Sequence, residues 1–77
     1  MIDINVTSID INGTDYILVD TIKDDKNIYS FFSNPNDKDD IYVLKDKNED
    51  NEKFYVSLDS DDEIDYAFSL FFQKYNE

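Results

Sequence analysis

Seventy-seven residues make room for one hydrophobic core and not two, because chains of this size bury only about 60% of the surface they expose when unfolded. With no cysteine and no histidine, neither a disulfide nor a structural zinc site can brace that core, so the six Phe and six Tyr must supply much of its apolar area. Nineteen Asp and Glu against seven Lys, with no Arg, set a formal charge of −12, which disfavours direct binding to nucleic acid and to anionic membranes.

Residues 1–6 lack a basic segment followed by a long apolar run, so no signal peptide is read there. No stretch approaches the length of a membrane span, and the expected location is the cytoplasm. Ile2, Ile4 and Val6 alternate onto one face, and Ile9 and Ile11 resume with the opposite parity, which predicts a strand over about 2–11 with a β-bulge or bend near Thr7 and Ser8. Asn12-Gly13 follows, a hairpin signal because both residues accept positive φ, and a returning strand is expected over about 14–22. The polar turn Lys23-Asp24-Asp25-Lys26-Asn27 leads to a third strand over about 27–33, rich in Ile28, Tyr29, Phe31 and Phe32. Pro35 ends it, since proline has no ladder donor.

A fourth strand is expected over about 40–46, a charged loop over 46–52 and a fifth strand over about 52–58. Ser60-Asp61-Asp62-Glu63 then matches a capping box, in which the serine hydroxyl accepts from an amide of the first turn while the glutamate reaches back. Ile64, Ala67, Phe68, Phe71, Phe72 and Tyr75 recur at helical spacing, so an amphipathic helix over about 60–75 closes the chain. Short links favour hairpins over crossovers. The expected fold is α+β: an antiparallel β-meander of four to five short strands, with one C-terminal helix packed on one face, in a single domain over residues 1–77.

Catalytic equipment is sparse. Serine nucleophiles lack a histidine base, there is no thiol, and the carboxylates fall in turns and at a helix start where water reaches them. No catalytic residues are assigned, and the chain is read as a non-enzyme without a cofactor. Asp46-Lys47-Asn48-Glu49-Asp50 imitates the start of an EF-hand loop, but Asn51 replaces the required glycine and Ser57 the bidentate glutamate, so a hairpin loop is preferred and no metal site is assigned. Weak divalent binding by Asp37, Asp39 and Asp40 stays as an alternative. The single glycine, Gly13, is already used by a turn, which removes phosphate-binding loops.

Two features point to a partner. Tyr66 and Leu70, with Tyr29 or Tyr42, fall off the main apolar stripes, and aromatics among acids suit an interface with an apolar centre and polar rim, although a second packed edge of the core explains them equally. The acidic clusters are Asp37-Asp39-Asp40, Glu49-Asp50-Glu52 and Asp59-Asp61-Asp62-Glu63-Asp65. They read either as a solvated face that keeps an aromatic-rich chain soluble, or as a carboxylate array that imitates DNA phosphates. The candidate partner-binding residues are Asp37, Asp39, Asp40, Glu49, Asp50, Glu52, Asp61, Asp62, Asp65, Tyr66 and Leu70. The expected partner is a basic protein surface, such as nucleic-acid machinery carries. A DNA-mimic inhibitor is the alternative, and the chain itself is expected to be a monomer or weak homodimer.

Asp10-Ile11-Asn12-Gly13, Val19-Asp20-Thr21-Ile22, a tyrosine-bearing strand, Ile41-Tyr42-Val43-Leu44 and an acidic, Phe-rich helix from Asp59 onward occur in an order that resembles a family of small acidic YrzB-like bacterial proteins, known mainly as a domain of unknown function. The resemblance covers nearly the whole chain and implies a small bacterial cytoplasmic protein, with no catalytic or binding residues to carry over. Asn-rich loops, and Phe31-Phe32-Ser33 where aliphatic residues are expected, depart from the family's usual pattern.

Overall fold

Two two-residue turns set the register of the sheet. In the computed structural model, which describes residues 8–75, Asn12 and Gly13 take φ of 52° and 86°, and Asp50 and Asn51 take φ of 51° and 69°. Both pairs thus adopt the positive φ of the primed turns whose twist matches that of paired strands. The Asp10 carboxylate accepts from the Gly13 amide at 2.9 Å and holds the first turn closed. The strands are β1 (Ser8–Ile11), β2 (Thr14–Lys23), β3 (Ile28–Asn34), β4 (Asp37–Glu49) and β5 (Glu52–Val56), followed by α1 (Asp61–Tyr75). They form one antiparallel sheet in the order β1-β2-β3-β4-β5. The expected α+β meander with a C-terminal helix is the observed fold.

The first strand's expected residues 2–7, and with them Thr7 of the bulge or bend expected near Thr7 and Ser8, lie outside the described residues, and β1 is described over Ser8–Ile11. β2 carries a bulge between Leu18 and Asp20. The expected loop over 46–52 is instead the end of β4, the Asp50-Asn51 turn and the start of β5, with Glu49 opposite Glu52. β4 also starts earlier than expected, at Asp37, because Asn34 pairs with Asp37 across the Pro35-Asn36 turn. In this turn the Asn34 side chain accepts from the Asn36 amide at 2.9 Å, a local bond of the kind that asparagine offers to turns.

β3 lies at the centre, and both of its faces are covered. Successive strand residues point to opposite faces, yet Tyr29, Ser30, Phe31 and Phe32 are all buried. Tyr29 and Phe31 face α1, where Val43 and Ala67 complete the core and Ile22, Ile41, Leu58, Ile64, Phe68, Leu70 and Phe71 pack around them. Phe31 meets Phe68 edge-on and Phe71 at a tilt. Phe32 faces away from the helix and is covered by Tyr55, edge-on at 5.2 Å, in a second cluster that also pairs Tyr16 with Tyr42. Ala67 is fully buried, and its small side chain lets the helix backbone approach the sheet.

The helix start follows the capping box closely. Ser60 Oγ accepts from the Glu63 amide at 3.2 Å, and its carbonyl accepts from Ile64 at 3.1 Å. Glu63 reaches back one residue further than the usual pattern, accepting from the Asp59 amide at 2.8 Å.

Candidate functional site

On the helix, Asp65, Phe68 and Phe72 share the flank that faces β4, because steps of three and four residues stay on one side. The facing residues of β4 are Lys38, Asp39 and Ile41, and together the two elements line an open groove. Ile41 and Phe68 form its apolar floor, Asp39 and Asp65 carry carboxylates at its rim, and Phe72 stands 55% exposed beside them. The sequence placed Phe72 and Tyr75 on the core stripe. Instead both are exposed, because the sheet covers only the sector around Ile64, Ala67 and Phe71, and positions at the edge of a six-residue stripe run past it.

The groove continues at Ile41 and Phe68 into a narrower, largely apolar notch lined also by Val43, Leu44, Leu58 and Ile64. It exists because β5 ends at Val56, opposite Lys45, and the chain then turns away toward the helix. The part of β4 from Leu44 back to Asp37 therefore has β3 on one side and no described strand on the other.

On the opposite flank of α1, Asp62 and Tyr66 face the β2–β3 turn in an open cleft with Asp24, Asp25 and Tyr29. Tyr66 donates to Asp24 at 2.9 Å and meets the Tyr29 ring edge-on. Asp24 also accepts from the Asn27 and Lys26 amides, which chiefly hold its carboxyl below the ordinary range, with the Tyr66 hydroxyl adding to the effect. The same bond to Asp24 raises the Tyr66 hydroxyl.

The candidate residues read from the sequence are thus dispersed. Asp39 and Asp65 meet in the β4–α1 groove, with Asp37 exposed nearby in sequence on β4. Asp62 and Tyr66 meet in the cleft on the other flank, and Asp61 is exposed at the helix start. Glu49, Asp50 and Glu52 stand exposed around the β4–β5 turn. Asp40 is half-buried and occupied within the fold, accepting from Tyr16 at 2.6 Å and Asn34 at 3.3 Å. Leu70 packs against the core beside Phe71, so it follows the packed-edge alternative. Tyr29 is buried, whereas Tyr42 is partly exposed. Among the described residues no three acidic side chains are grouped to hold a metal ion, and Asp46 of the EF-hand-like stretch has its side chain only 3% exposed within β4.

Sequence reasoning missed Ile41, Phe68 and Phe72 as groove residues, and it missed the open edge of β4. The early end of β5 had one readable sign, the run Ser57-Leu58-Asp59-Ser60, whose last residue caps a helix and forces the chain out of the sheet beforehand.

No helix among the described residues is long and apolar enough to cross a membrane. The model of a family described as protein of unknown function, DUF1292, matches residues 5–75, so the resemblance to a family without assigned function is borne out. No curated protein and no solved structure matches.

Proposed function

The chain belongs to the DUF1292 family, and from that premise we propose that it is a non-enzymatic, cytoplasmic interaction module that binds a basic protein surface in the groove between β4 and α1. One observation carries this reading: Phe72 stands exposed over an apolar floor and is flanked by Asp39 and Asp65 from two different elements. Exposed aromatics at the centre of a polar rim are the usual anchors of protein interfaces. The net charge of −12 selects the partner's sign. Nucleic-acid-binding proteins carry basic surfaces of this kind.

The test is capture of basic proteins from a bacterial lysate on the immobilised chain at roughly 50 mM and about 500 mM salt, repeated with Phe72→Ala and with Asp39→Asn/Asp65→Asn. The expected result is a basic protein held at low salt, released at high salt and lost in both variants, while Asp50→Asn at the distant turn has no effect. A protein retained equally at both salt concentrations, or by all variants, overturns the reading. DNA mimicry is decided on the same captured protein: competition with DNA supports it, and simultaneous binding of DNA and this chain removes it.

A further inference from the structure

We propose that the open edge of β4 at residues 41–44 accepts an extended peptide of the partner as an added antiparallel or parallel strand, with an apolar side chain in the notch and a lysine or arginine beside Asp39 and Asp65. The proposal rests on the interaction reading above and specifies how the partner is held.

The direction of the backbone groups follows from the turn. Asp50-Asn51 is a two-residue turn, so Glu49 and Glu52 exchange hydrogen bonds. Alternate residues of a strand direct their N–H and C=O to the same side, hence Lys47 and Lys45 also point to β5, and Val43 and Ile41 point the same way beyond its end. The first hairpin gives an independent check. Ile11 and Thr14 flank Asn12-Gly13, which aims Ile17 at β3 and its partner Ser33 at β2. Phe32 then points to β4 and its partner Tyr42 points to β3, leaving Ile41 and Val43 outward.

Their outward backbone groups have no partner among the described residues. No backbone hydrogen bond joins Ser57 or Leu58 to β4. The Val43 side chain belongs to the core and Ile41 is partly exposed, and an unpaired edge is a template for another strand. The apolar lining fixes one side chain of that strand: Leu58, Ile64 and Phe68 form a socket on the helix side of the edge. A residue two positions along the added strand lies on the same face, and toward Ile41 it meets Asp39 and Asp65. Lys38 also lines that end and is the one cation there, so the local surplus stays negative. A second copy of this chain is a poor strand donor, since each copy carries −12.

The probe is a displayed random peptide library, followed by synthetic peptides of the selected sequences. Selected ligands should share an apolar residue and a lysine or arginine two positions apart. Replacing alternate peptide N–H groups by N-methyl should weaken binding by at least about tenfold, while methylation of the intervening amides has little effect. Amide exchange at Ile41 and Val43 should be fast in the free protein and slow in the complex. Peptides that bind with salt sensitivity but are indifferent to N-methylation overturn strand addition and leave the interaction module standing. Slow exchange at Ile41 and Val43 in the free protein overturns it too, because the edge is then already paired. A library without ligands also defeats it, while the module is judged separately by the capture of folded proteins.

Discussion

Many of the carboxylates that make the chain acidic are bonded inside the fold. Asp46 is the clearest case, with a side chain only 3% exposed. It accepts from Ser30 at 2.5 Å and pairs with Lys53 at 3.3 Å, while Thr21 lies 3.5 Å from the same serine hydroxyl. Ser30 sits in the central strand and is almost wholly buried. Asp46→Ala therefore does more than remove an ion pair: it deprives a buried hydroxyl of its acceptor. Losing a partner from a buried polar group costs about 1–3 kcal/mol. The urea midpoint of Asp46→Ala should fall accordingly, whereas Asp46→Asn, which keeps an acceptor oxygen for Ser30 and loses only the ion pair with the exposed Lys53, should recover part of the loss. A midpoint for Asp46→Asn as low as that of Asp46→Ala would show that the charge facing the lysine, and not the acceptor facing the serine, is what matters.

Helix α1 is fastened to the sheet at both ends by carboxylates. At its start Glu63 accepts from Tyr29 and from Lys45, each at 3.0 Å. At its end Lys74 and Tyr75 donate to Asp20 at 3.1 and 2.7 Å. The Asp59 amide, followed by Lys45, holds the Glu63 carboxyl below its ordinary 4.5. Burial pushes Asp20 up, but the hydrogen bonds from Tyr75, Lys74 and the Thr21 amide outweigh it, so that group too lies below its ordinary 3.8. A carboxyl with a folded value below its unfolded one stabilises the fold fully above the unfolded value and loses that contribution as pH falls through the folded one. The share of urea resistance that Glu63 supplies, read as the difference between the unaltered protein and Glu63→Gln, should thus begin to shrink below pH 4.5 and continue to shrink as pH falls. A difference that stays constant through that range would show that the Glu63 carboxylate adds no such stability. These ties were only half legible in the sequence. Ser60 and Glu63 announced the helix start by their spacing, and Asn12-Gly13 announced its turn, because both are local patterns. Lys45, Tyr29 and Asp20 gave no such sign, since their partners lie 18, 34 and 55 residues away. The open edge of β4 was hidden for the same reason: it is created by where β5 stops, and hydrophobic alternation alone extended that strand to residue 58.

At the scale of the molecule, the surplus charge works against the fold and for the proposed partner. Four ion pairs, contributed by Lys45, Lys53 and Lys74, are present among the described residues, against a formal net charge of −12. Each of these pairs has at least one largely buried side chain, so salt screens it little, while the repulsion that salt relieves acts among all the unneutralised carboxylates. Sodium chloride should therefore stabilise the free protein. Screening shortens the range of charge interactions from about 10 Å at 0.1 M to about 3 Å at 1 M, and each ~1 kcal/mol of relieved repulsion raises the Tm of a domain this small by about 4–8 °C. Binding to a basic partner should respond in the opposite direction over the same range, because screening removes the attraction that selects that partner. The two responses are measured separately, by thermal unfolding of the free chain and by titration with a selected basic peptide. A Tm that falls with chloride would mean that the ion pairs at the ends of α1 outweigh the net repulsion. Binding that strengthens with salt would mean that Phe72 and the notch, and not Asp39 and Asp65, hold the partner.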